Sequence, residues 1–374
     1  MKIWSRQFLG RNHSWAVVGR NLMREFVAMG HEVHLFPTDG IKKIPKSLME
    51  NVVCYTELNG KEIKNLKPHF KEYDLQIAYT AMKNFRHYLN RGKKNKFGIY
   101  NYDGSVIPKQ WKSSFRHVDL ILPSSEYAKQ VFVDAKIPES HLEVVPHGIN
   151  PNDFNIPEEE LYQLKTKKSI KILNVCGQVH RRKNLEGILQ AYGNAFSKDD
   201  DVCLVLKVTK QKPVQTFELS ARDLYQQWRK KNPNAGEVEM IYDYIPKIES
   251  LFLVCDIHFS LSNIECFHIP SLQALGAGMV TIQSAYGGHT DFLHQDNSLL
   301  VDGKMGRCPP KYQYWYSSPY AEMFVPDIDD ATEKLKHAVA NLESLREKLA
   351  PEMKKTVEKF TWANAAQKIV DLAK

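Results

Sequence analysis

Residues 3–36, IWSRQFLGRNHSWAVVGRNLMREFVAMGHEVHLF, contain the pattern that decides the fold. A short apolar strand around Ile3–Trp4 precedes Ser14–Met29, where apolar residues recur at three- and four-residue spacing, as they do on one face of an α-helix. Ser14 is the expected N-cap and Gly30 the expected C-terminal cap glycine. His31–Phe36 then forms a second strand. A strand, a helix and a strand in this order predict a parallel α/β sheet.

The same alternation continues along the chain in two series. The first predicts further strands at Asn51–Tyr55, Leu75–Tyr79, Phe97–Tyr100, Val118–Leu122 and Leu142–Val145. The second predicts strands at Lys171–Cys176, Val202–Val208, Val238–Tyr242, Cys255–Ser260, Met279–Ile282 and Leu299–Val301. A polar stretch with two prolines, residues 151–168, lies between the two series and is the expected linker.

A length of 374 residues favours two domains over one. We therefore predict two doubly wound domains, 1–150 and 169–350, that face each other across a cleft, with ligands bound beyond the carboxyl ends of the strands. A helical segment, 351–374, is expected to pack back toward the N-terminal domain. The oligomeric state is left open.

Charge is distributed unevenly. Residues 1–150 hold 23 basic and 14 acidic side chains, a net charge of +9, while the rest of the chain has a net charge of −1. The six cysteines form no C-x-x-C pair and mostly lie in apolar runs, which favours buried, reduced thiols. No signal peptide is evident, and the longest stretch free of Asp, Glu, Lys and Arg, Cys266–Thr290, is too rich in glycine and polar residues to span a membrane well. We expect a cytoplasmic protein, with peripheral contact to a membrane left open.

The densest group of candidate functional residues is LSNIECFHIPSLQALGAG, residues 261–278. Pro270 suits the first position of a helix, and the amino terminus of such a helix favours an anion such as phosphate. Glu265 is positioned to accept hydrogen bonds from hydroxyl groups, and Gln273 follows about one turn into the helix. The alternative is an ordinary helix start with a solvated glutamate.

A second group, GQVHRRKN at 177–184, follows the strand Lys171–Cys176. Three consecutive cations at the carboxyl end of a strand suit a pyrophosphate and stabilise charge on a departing phosphate. The alternative is a solvated basic loop. Gly287 and Gly288 form a turn that lets the backbone approach a ligand closely.

These segments resemble the large retaining GT-B glycosyltransferase family, whose donor motif is E-G-F-G-L-P-x-L-E-A-x-A-x-G. The corresponding residues here are E-C-F-H-I-P-S-L-Q-A-L-G-A-G, so that Glu265 matches the first glutamate and Gln273 stands in place of the second. Further similar segments are G-H-E-V (30–33), P-S-S-E-Y-A (123–128), V-P-H-G-I-N (145–150), G-x5-K (177–183), A-Y-G-G-H-T-D (285–291) and F-T-W (360–362). The resemblance implies the GT-B architecture of two Rossmann-like domains and transfer of a sugar from a nucleotide diphosphate sugar, with retention and without a metal or other cofactor.

The resemblance also implies roles for individual residues. Glu265 contacts hydroxyls of the donor sugar, Lys183 contacts the diphosphate and Gln273 meets the ribose hydroxyls. The family's arginine after the glycine is Gln178 here, so that Arg181 or Arg182 replaces it or diphosphate binding is weaker. The other expected donor-binding residues are Phe267, His268 and Ile269, through their backbone amides, and Gly10, in the loop after the first strand.

No protein base is required, because the departing phosphate can accept the proton of the attacking hydroxyl. Asp103 and His147 are nevertheless the catalytic candidates on the acceptor side, although a turn residue is the alternative for Asp103 and a positioning role suits His147 better. The D-x-D spacings at Asp199–Asp201 and Asp327–Asp330 are not expected to bind a metal, and the second is typical of a helix start.

Residues 81–116 hold nine basic side chains against Asp103. The residues expected to bind an anionic acceptor are Lys83, Arg86, Arg91, Lys93, Lys94, Lys96, Lys109 and Trp111. Three acceptors remain open. The first is a lipid or polysaccharide at an anionic membrane, and in this case the apolar side of an interfacial helix would consist of Met82, Phe85, Tyr88 and Leu89. The second is a hydroxymethylated base of viral-type DNA, and the third is a small soluble molecule beside an incidental basic patch. The alternative to an enzyme is a non-catalytic module that binds nucleotide sugars.

Overall fold

The computed structural model describes residues 1–10, 13–56, 62–64, 73–89, 95–177, 181–209, 219–308 and 321–374. The chain divides into two compact units. Unit 1 comprises Met1–Tyr102, Val106–Gly148 and Phe360–Lys374, and unit 2 comprises Asp103–Ser105 and Ile149–Lys359.

Unit 1 is built on a five-stranded parallel sheet. The strands of this unit are β1 (Lys2–Gln7), β2 (Glu32–Pro37), β3 (Cys54–Thr56), β4 (Glu62–Lys64), β5 (Leu75–Tyr79), β6 (Lys96–Ile99) and β7 (Leu120–Leu122). The main sheet has the order β2-β1-β5-β6-β7, and β3 and β4 form a separate antiparallel pair. The helices before the second unit are α1 (Ser14–Ala28), α2 (Lys46–Met49), α3 (Phe85–Tyr88) and α4 (Glu126–Asp134).

Of the two caps predicted for α1, the first crossover helix, only the C-terminal one is confirmed. Gly30 has a φ of 78°, and its N–H donates to the carbonyl of Val27 at 3.0 Å, as expected of a glycine that ends a helix. The predicted N-cap is wrong by one residue. His13 occupies that position without a capping bond from its side chain, and Ser14 is already helical.

Unit 2 is built on a six-stranded parallel sheet. Its strands are β8 (Ile170–Gly177), β9 (Val202–Val208), β10 (Glu237–Ile241), β11 (Ile257–Ser260), β12 (Val280–Ser284) and β13 (Leu299–Val301), with β14 (Gly303–Arg307) and β15 (Glu322–Pro326) as a separate antiparallel pair. The order β10-β9-β8-β11-β12-β13 reverses between β8 and β11. That reversal is the switch point where ligands bind to open α/β sheets.

Seven described α-helices follow in the second half of the chain. They are α5 (Leu185–Ala195), α6 (Ala221–Lys231), α7 (Glu249–Leu253), α8 (Ile269–Gly276), α9 (Ile328–Ala340), α10 (Leu342–Lys359) and α11 (Trp362–Leu372). The last helix, α11, belongs to unit 1 and packs against α1. None of the described helices is long and apolar enough to cross a lipid bilayer.

Two sequence predictions about the connections need correction. Leu142–Val145 forms no strand, since only Leu142 bridges to Ile121. The stretch 151–168 belongs to unit 2, where the carboxylate of Glu239 accepts hydrogen bonds from the N–H groups of Lys165 and Thr166 at 2.8–3.1 Å. All six cysteines lie in the described part of the chain, where they are buried and form no disulfide.

Candidate active site

A buried carboxylate joins the loops that follow β8 and β11. Glu265, four residues beyond the loop start at Leu261, is only 4% exposed. Its Oε1 lies 2.5 Å from Nζ of Lys183 and 2.6 Å from Nη1 of Arg182. Both cations belong to the 3-10 turn Arg181–Lys183 after β8. Glu265 and Lys183, the two residues that the sequence analysis expects to contact the donor sugar and its diphosphate, therefore meet at the switch point of the sheet.

Glu265 is ionised in this setting. Burial by itself would raise the pKa of its carboxyl group, but the charges of Arg182 and Lys183 outweigh that effect and hold the pKa well below its usual range. A desolvated carboxylate with two cations on one oxygen is a strong acceptor for hydroxyl donors.

Asp103 lies beside this assembly in unit 2. Its Oδ2 is 3.1 Å from Nη2 of Arg182, and its Oδ1 accepts hydrogen bonds from the N–H of Cys266 at 3.2 Å and from the thiol of Cys266 at 2.9 Å. The carboxylate thus neutralises Arg182 and fixes the backbone next to Glu265. The sequence predicts Asp103 on the acceptor side, as a proton acceptor, whereas its contacts with Arg182 and Cys266 are those of a positioning residue.

The turn before α8 has an unusual backbone. His268 has φ 68° and ψ 68°, a left-handed conformation that glycine adopts readily and other residues rarely, and glycine is the residue of the motif at this position. Its Nδ1 is 2.7 Å from Oγ of Ser271, and its Nε2 is 3.5 Å from Oγ of Ser260. Burial holds the pKa of His268 well below its usual value, so that the imidazole is neutral at physiological pH.

The neighbours of His268 complete the turn. Ile269 begins the helix, so that Pro270 is its second residue, one position later than the sequence predicted. Phe267 is buried and packs on Phe292, with ring centroids 5.0 Å apart.

The diglycine turn after β12 closes over the same loop. The N–H of Gly288 donates to the carbonyl of Glu265 at 2.7 Å. Gly287 has a φ of 126°, and a Cβ there would lie 2.9 Å from that carbonyl oxygen. His289 is buried and its Nε2 lies 2.7 Å from the carbonyl oxygen of Ser284. Close packing on the backbone of Glu265 therefore explains the glycine at position 287.

Gln273 contacts a residue that sequence reasoning did not single out. Its Nε2 donates to Oε1 of Glu249 at 3.0 Å. Glu249 is in the first turn of α7, and both side chains are half-buried. Nothing in the sequence pairs these residues, because α7 and α8 become neighbours only through the order of the strands.

Lys207 is a second residue that the sequence analysis missed. It lies near the carboxyl end of β9, 9% exposed, and its Nζ donates to the carbonyl of Val208 at 3.1 Å. Burial lowers the pKa of its amine, although the charge of Asp243 acts to raise it. The sequence feature that could have pointed to Lys207 is a cation near the end of an otherwise apolar strand.

Two expected site residues lie in unit 1. Gly10 is required by packing, because a Cβ there would lie 1.9 Å from the carbonyl oxygen of Gly40. His147 is 5% exposed, and its Nε2 accepts a hydrogen bond from Nδ2 of Asn101 at 2.6 Å. Burial lowers the pKa of His147 to about 3, so that it is neutral. Gln178 lies outside the described residues, as does the side chain of Arg181.

The basic residues of the acceptor prediction are only partly described. Arg91, Lys93 and Lys94 lie outside the described residues. Lys96 is mostly buried, with Nζ 3.8 Å from Asp119. Besides Lys96, the described cations of the segment 81–116 are at least partly exposed, and we call these five residues the basic surface: Lys83, Arg86, Lys109, Lys112 and Arg116.

The aromatic and apolar residues of this region serve the core instead. The predicted interfacial helix is wrong, because Met82 and Phe85 are fully buried, Leu89 is 5% exposed and Tyr88 packs against the same cluster. Trp111 is half-buried beneath the basic surface, with Nζ of Lys83 5.7 Å from its ring centroid.

The acidic triplets behave as capping and turn residues. The side chain of Asp327 accepts hydrogen bonds from the N–H groups of Asp329 and Asp330 at the start of α9, which confirms the predicted helix start. Asp201 accepts from the N–H of Ser169 at 2.9 Å. Within the described ranges, no three His, Cys, Asp or Glu side chains are grouped so as to hold a metal ion.

Comparison with known proteins identifies the fold. No protein-family model matches the sequence. The structure is similar to that of HepE from Anabaena in complex with UDP and glucose, with a TM-score of 0.69 and 13% identity over 100% of this chain and 99% of that one. It is equally similar to sucrose-phosphate synthase from Thermosynechococcus elongatus, with a TM-score of 0.69 and 14% identity over 99% and 98% of the two chains. The fold is GT-B.

One curated protein is similar in sequence over most of this GT-B chain. It is named "Putative glycosyltransferase 45", from Sulfolobus islandicus filamentous virus, and is 22% identical over 336 residues, which are 88% of this chain and 82% of the viral protein.

Proposed function

We propose that this GT-B protein is a glycosyltransferase that moves a sugar from a nucleoside diphosphate to an acceptor hydroxyl, with retention of configuration. The observation that carries the proposal is the assembly of Glu265 with Lys183 and Arg182 at the switch point of the unit 2 sheet. The name of the viral relative supports sugar transfer, and the UDP-glucose complex of HepE supports a nucleoside diphosphate sugar as the donor.

Each group of the assembly has a part in this chemistry. The ionised Glu265 accepts hydrogen bonds from hydroxyls of the donor sugar, and Lys183 stabilises charge on the departing diphosphate. The N–H groups at the start of α8 add to that stabilisation, while Gln273 lies at the ribose. The acceptor hydroxyl attacks from the face of the leaving group, and the departing phosphate takes its proton.

Lys183 and Arg182 can supply the positive charge that a leaving diphosphate requires, and we propose that transfer needs no metal ion. The expected result is unchanged turnover after treatment with a chelator. Retention is tested by NMR of the anomeric configuration of the product.

Removal of the Lys183 amine tests the donor site. Lys183→Ala is expected to lower the release of UDP from UDP-glucose by about a hundredfold. Lys247→Ala is the matched control, since Lys247 pairs with Glu160 at the surface, and it should leave the rate unchanged. Wild-type turnover by Lys183→Ala would show that the site is misassigned.

We further propose that the acceptor is anionic and lies at the basic surface, with a membrane lipid or polysaccharide as the first candidate. One observation favours the second candidate, hydroxymethylated DNA. The apolar residues that would insert into a bilayer are in the core of unit 1, whereas Lys83, Lys109 and Arg116 are exposed.

Charge reversal separates the two acceptors. Lys109→Glu combined with Arg116→Glu should weaken binding to the true polyanion and spare donor hydrolysis, while Lys230→Glu with Lys231→Glu on α6 is the control of equal charge. Binding to duplex DNA should fall with salt, with a logarithmic slope of about −0.9 for each phosphate neutralised. Binding only to anionic vesicles would favour the lipid, and binding to neither would contradict an anionic acceptor.

A further inference from the structure

The contact between Gln273 and Glu249 joins two helices at one edge of the unit 2 sheet. Glu249 begins α7, which follows β10, and Gln273 lies in α8, which follows β11. Helices that follow parallel strands begin at the carboxyl edge of the sheet, which is the edge where Glu265 and Lys183 meet. The pair is thus placed on the side where a donor binds.

The geometry assigns an orientation to the amide. Gln273 presents Nε2 to Glu249 at 3.0 Å, so that its carbonyl oxygen points elsewhere. A carboxylate offers about four acceptor sites, of which the N–H of Gln273 occupies one. Both side chains are half-buried, which leaves them within reach of a ligand while it shields them from bulk water.

We infer that Glu249 is the carboxylate that binds the ribose hydroxyls of the donor and that Gln273 holds it in position. This inference rests on the proposed function. A carboxylate accepts hydrogen bonds from hydroxyls about twice as strongly as a neutral amide does. The negative charge that the motif places at position 273 has therefore moved to the neighbouring helix, and the site remains complete without it.

The inference reverses the simplest expectation for position 273. If Gln273 alone bound ribose, Gln273→Glu would restore the motif and preserve or improve donor binding. With Glu249 only 3.0 Å from the amide, the same substitution places two carboxylates in contact, and two such groups cannot both ionise without a large cost. Gln273→Glu is therefore expected to weaken binding.

The first experiment compares a nucleoside diphosphate with its 2′,3′-dideoxy counterpart by calorimetry, with the tightest-binding of UDP, GDP and ADP as the probe. The wild type should prefer the ribose form by about ten- to a hundredfold, the value of a hydrogen bond to a charged group. Glu249→Gln should reduce this preference to less than about threefold. Glu333→Gln on α9, an exposed carboxylate in the same unit, should keep it.

The second experiment exchanges the two residues. Gln273→Glu should weaken binding of the ribose form by about tenfold or more, and the double variant Gln273→Glu with Glu249→Gln should restore it to within about threefold, because it recreates one carboxylate and one amide. Tighter binding by Gln273→Glu, or an unchanged ribose preference in Glu249→Gln, would overturn the inference. Absence of binding by the wild type to all three diphosphates would instead contradict the proposed function.

Discussion

Glu265 shows how one residue couples stability to chemistry. Its Oε1 is shared by two cations whose side chains are only 14% and 19% exposed. Removal of the carboxylate therefore takes away the ion pair that these two nearly buried charges share, although Asp103 still pairs with Arg182. These contacts show that the stability of unit 2 also depends on this group.

Glu265→Gln keeps the size of the side chain and removes its charge. We expect sugar transfer to fall by about ten- to a hundredfold, the value of a hydrogen bond to a charged group. The free energy of unfolding should fall by about 1–3 kcal/mol, less than for a fully buried pair because water reaches both cations in part. Kinetics and urea unfolding measure the two effects, with Glu333→Gln as the control. Full activity would contradict the assigned role.

His268 offers a residue-scale test of backbone strain. Its φ of 68° costs a non-glycine residue about 1–2 kcal/mol, which the contact with Oγ of Ser271 offsets in part. His268→Gly removes both the strain and the contact, whereas His268→Ala keeps the strain and loses the contact. Thermal unfolding should therefore show the glycine variant to be the more stable of the two by about 1 kcal/mol. Equal stabilities would mean that the left-handed backbone carries no cost here.

At the scale of elements, the last helix depends on a single glycine. A Cβ on Gly148 would lie 2.2 Å from the carbonyl carbon of Thr361 and 2.3 Å from the nitrogen of Trp362, at the start of α11. Both atoms belong to the backbone, so that they cannot turn aside as a side chain can.

Gly148→Ala is therefore expected to destabilise unit 1 by more than about 3 kcal/mol, at the high end for overpacking. Gly306→Ala is the matched control, since its nearest contact is the flexible Cγ2 of Val325 at 3.2 Å, and its cost should be below about 1 kcal/mol. Chemical unfolding of both variants measures the difference. Similar costs at the two positions would show that α11 can shift away.

The elements also show why sequence succeeds in some places and fails in others. Leu75–Tyr79, Val202–Val208 and Leu299–Val301 have the same bounds in the sequence prediction and in the structure, because mostly apolar runs between polar segments are typical of buried parallel strands. Leu142–Val145 is also mostly apolar, yet only Leu142 bridges to β7. A periodic pattern reports burial and cannot report whether a partner strand has room to pair.

The site was predictable to the same extent. Glu265 and Lys183 were singled out as candidates because both lie in motifs that follow strands. The contact of Gln273 with Glu249 was not, since it depends on which helices become neighbours, and the contact of Asp103 with Cys266 spans 163 positions in sequence. Contacts of this kind are set by topology, which local spacing does not encode.

At the scale of the whole molecule, buried histidines tie stability to pH. Burial lowers the pKa of His147 and His258 to about 3 and that of His289 to about 4, and it lowers the pKa of His268 in the same direction. Their pKa in an unfolded chain is about 6.5. The unfolded state therefore binds more protons than the folded state below that value, and stability falls as the pH falls.

The histidine contribution should be complete above about pH 6.5 and be lost progressively toward pH 4, at up to about 1.4 kcal/mol per pH unit for each group. Because three of the four groups lie in unit 2, guanidinium unfolding of this unit should weaken by up to about 4 kcal/mol per pH unit in that window. His258→Gln should reduce the dependence of the unfolding free energy on pH by the contribution of one group, about 1.4 kcal/mol per pH unit. His337→Gln, at an exposed position of α9, should leave this dependence unchanged. A free energy of unfolding that stays constant between pH 7 and pH 5 would show that these imidazoles accept protons in the folded state, and hence that water reaches the residues beneath the proposed donor site.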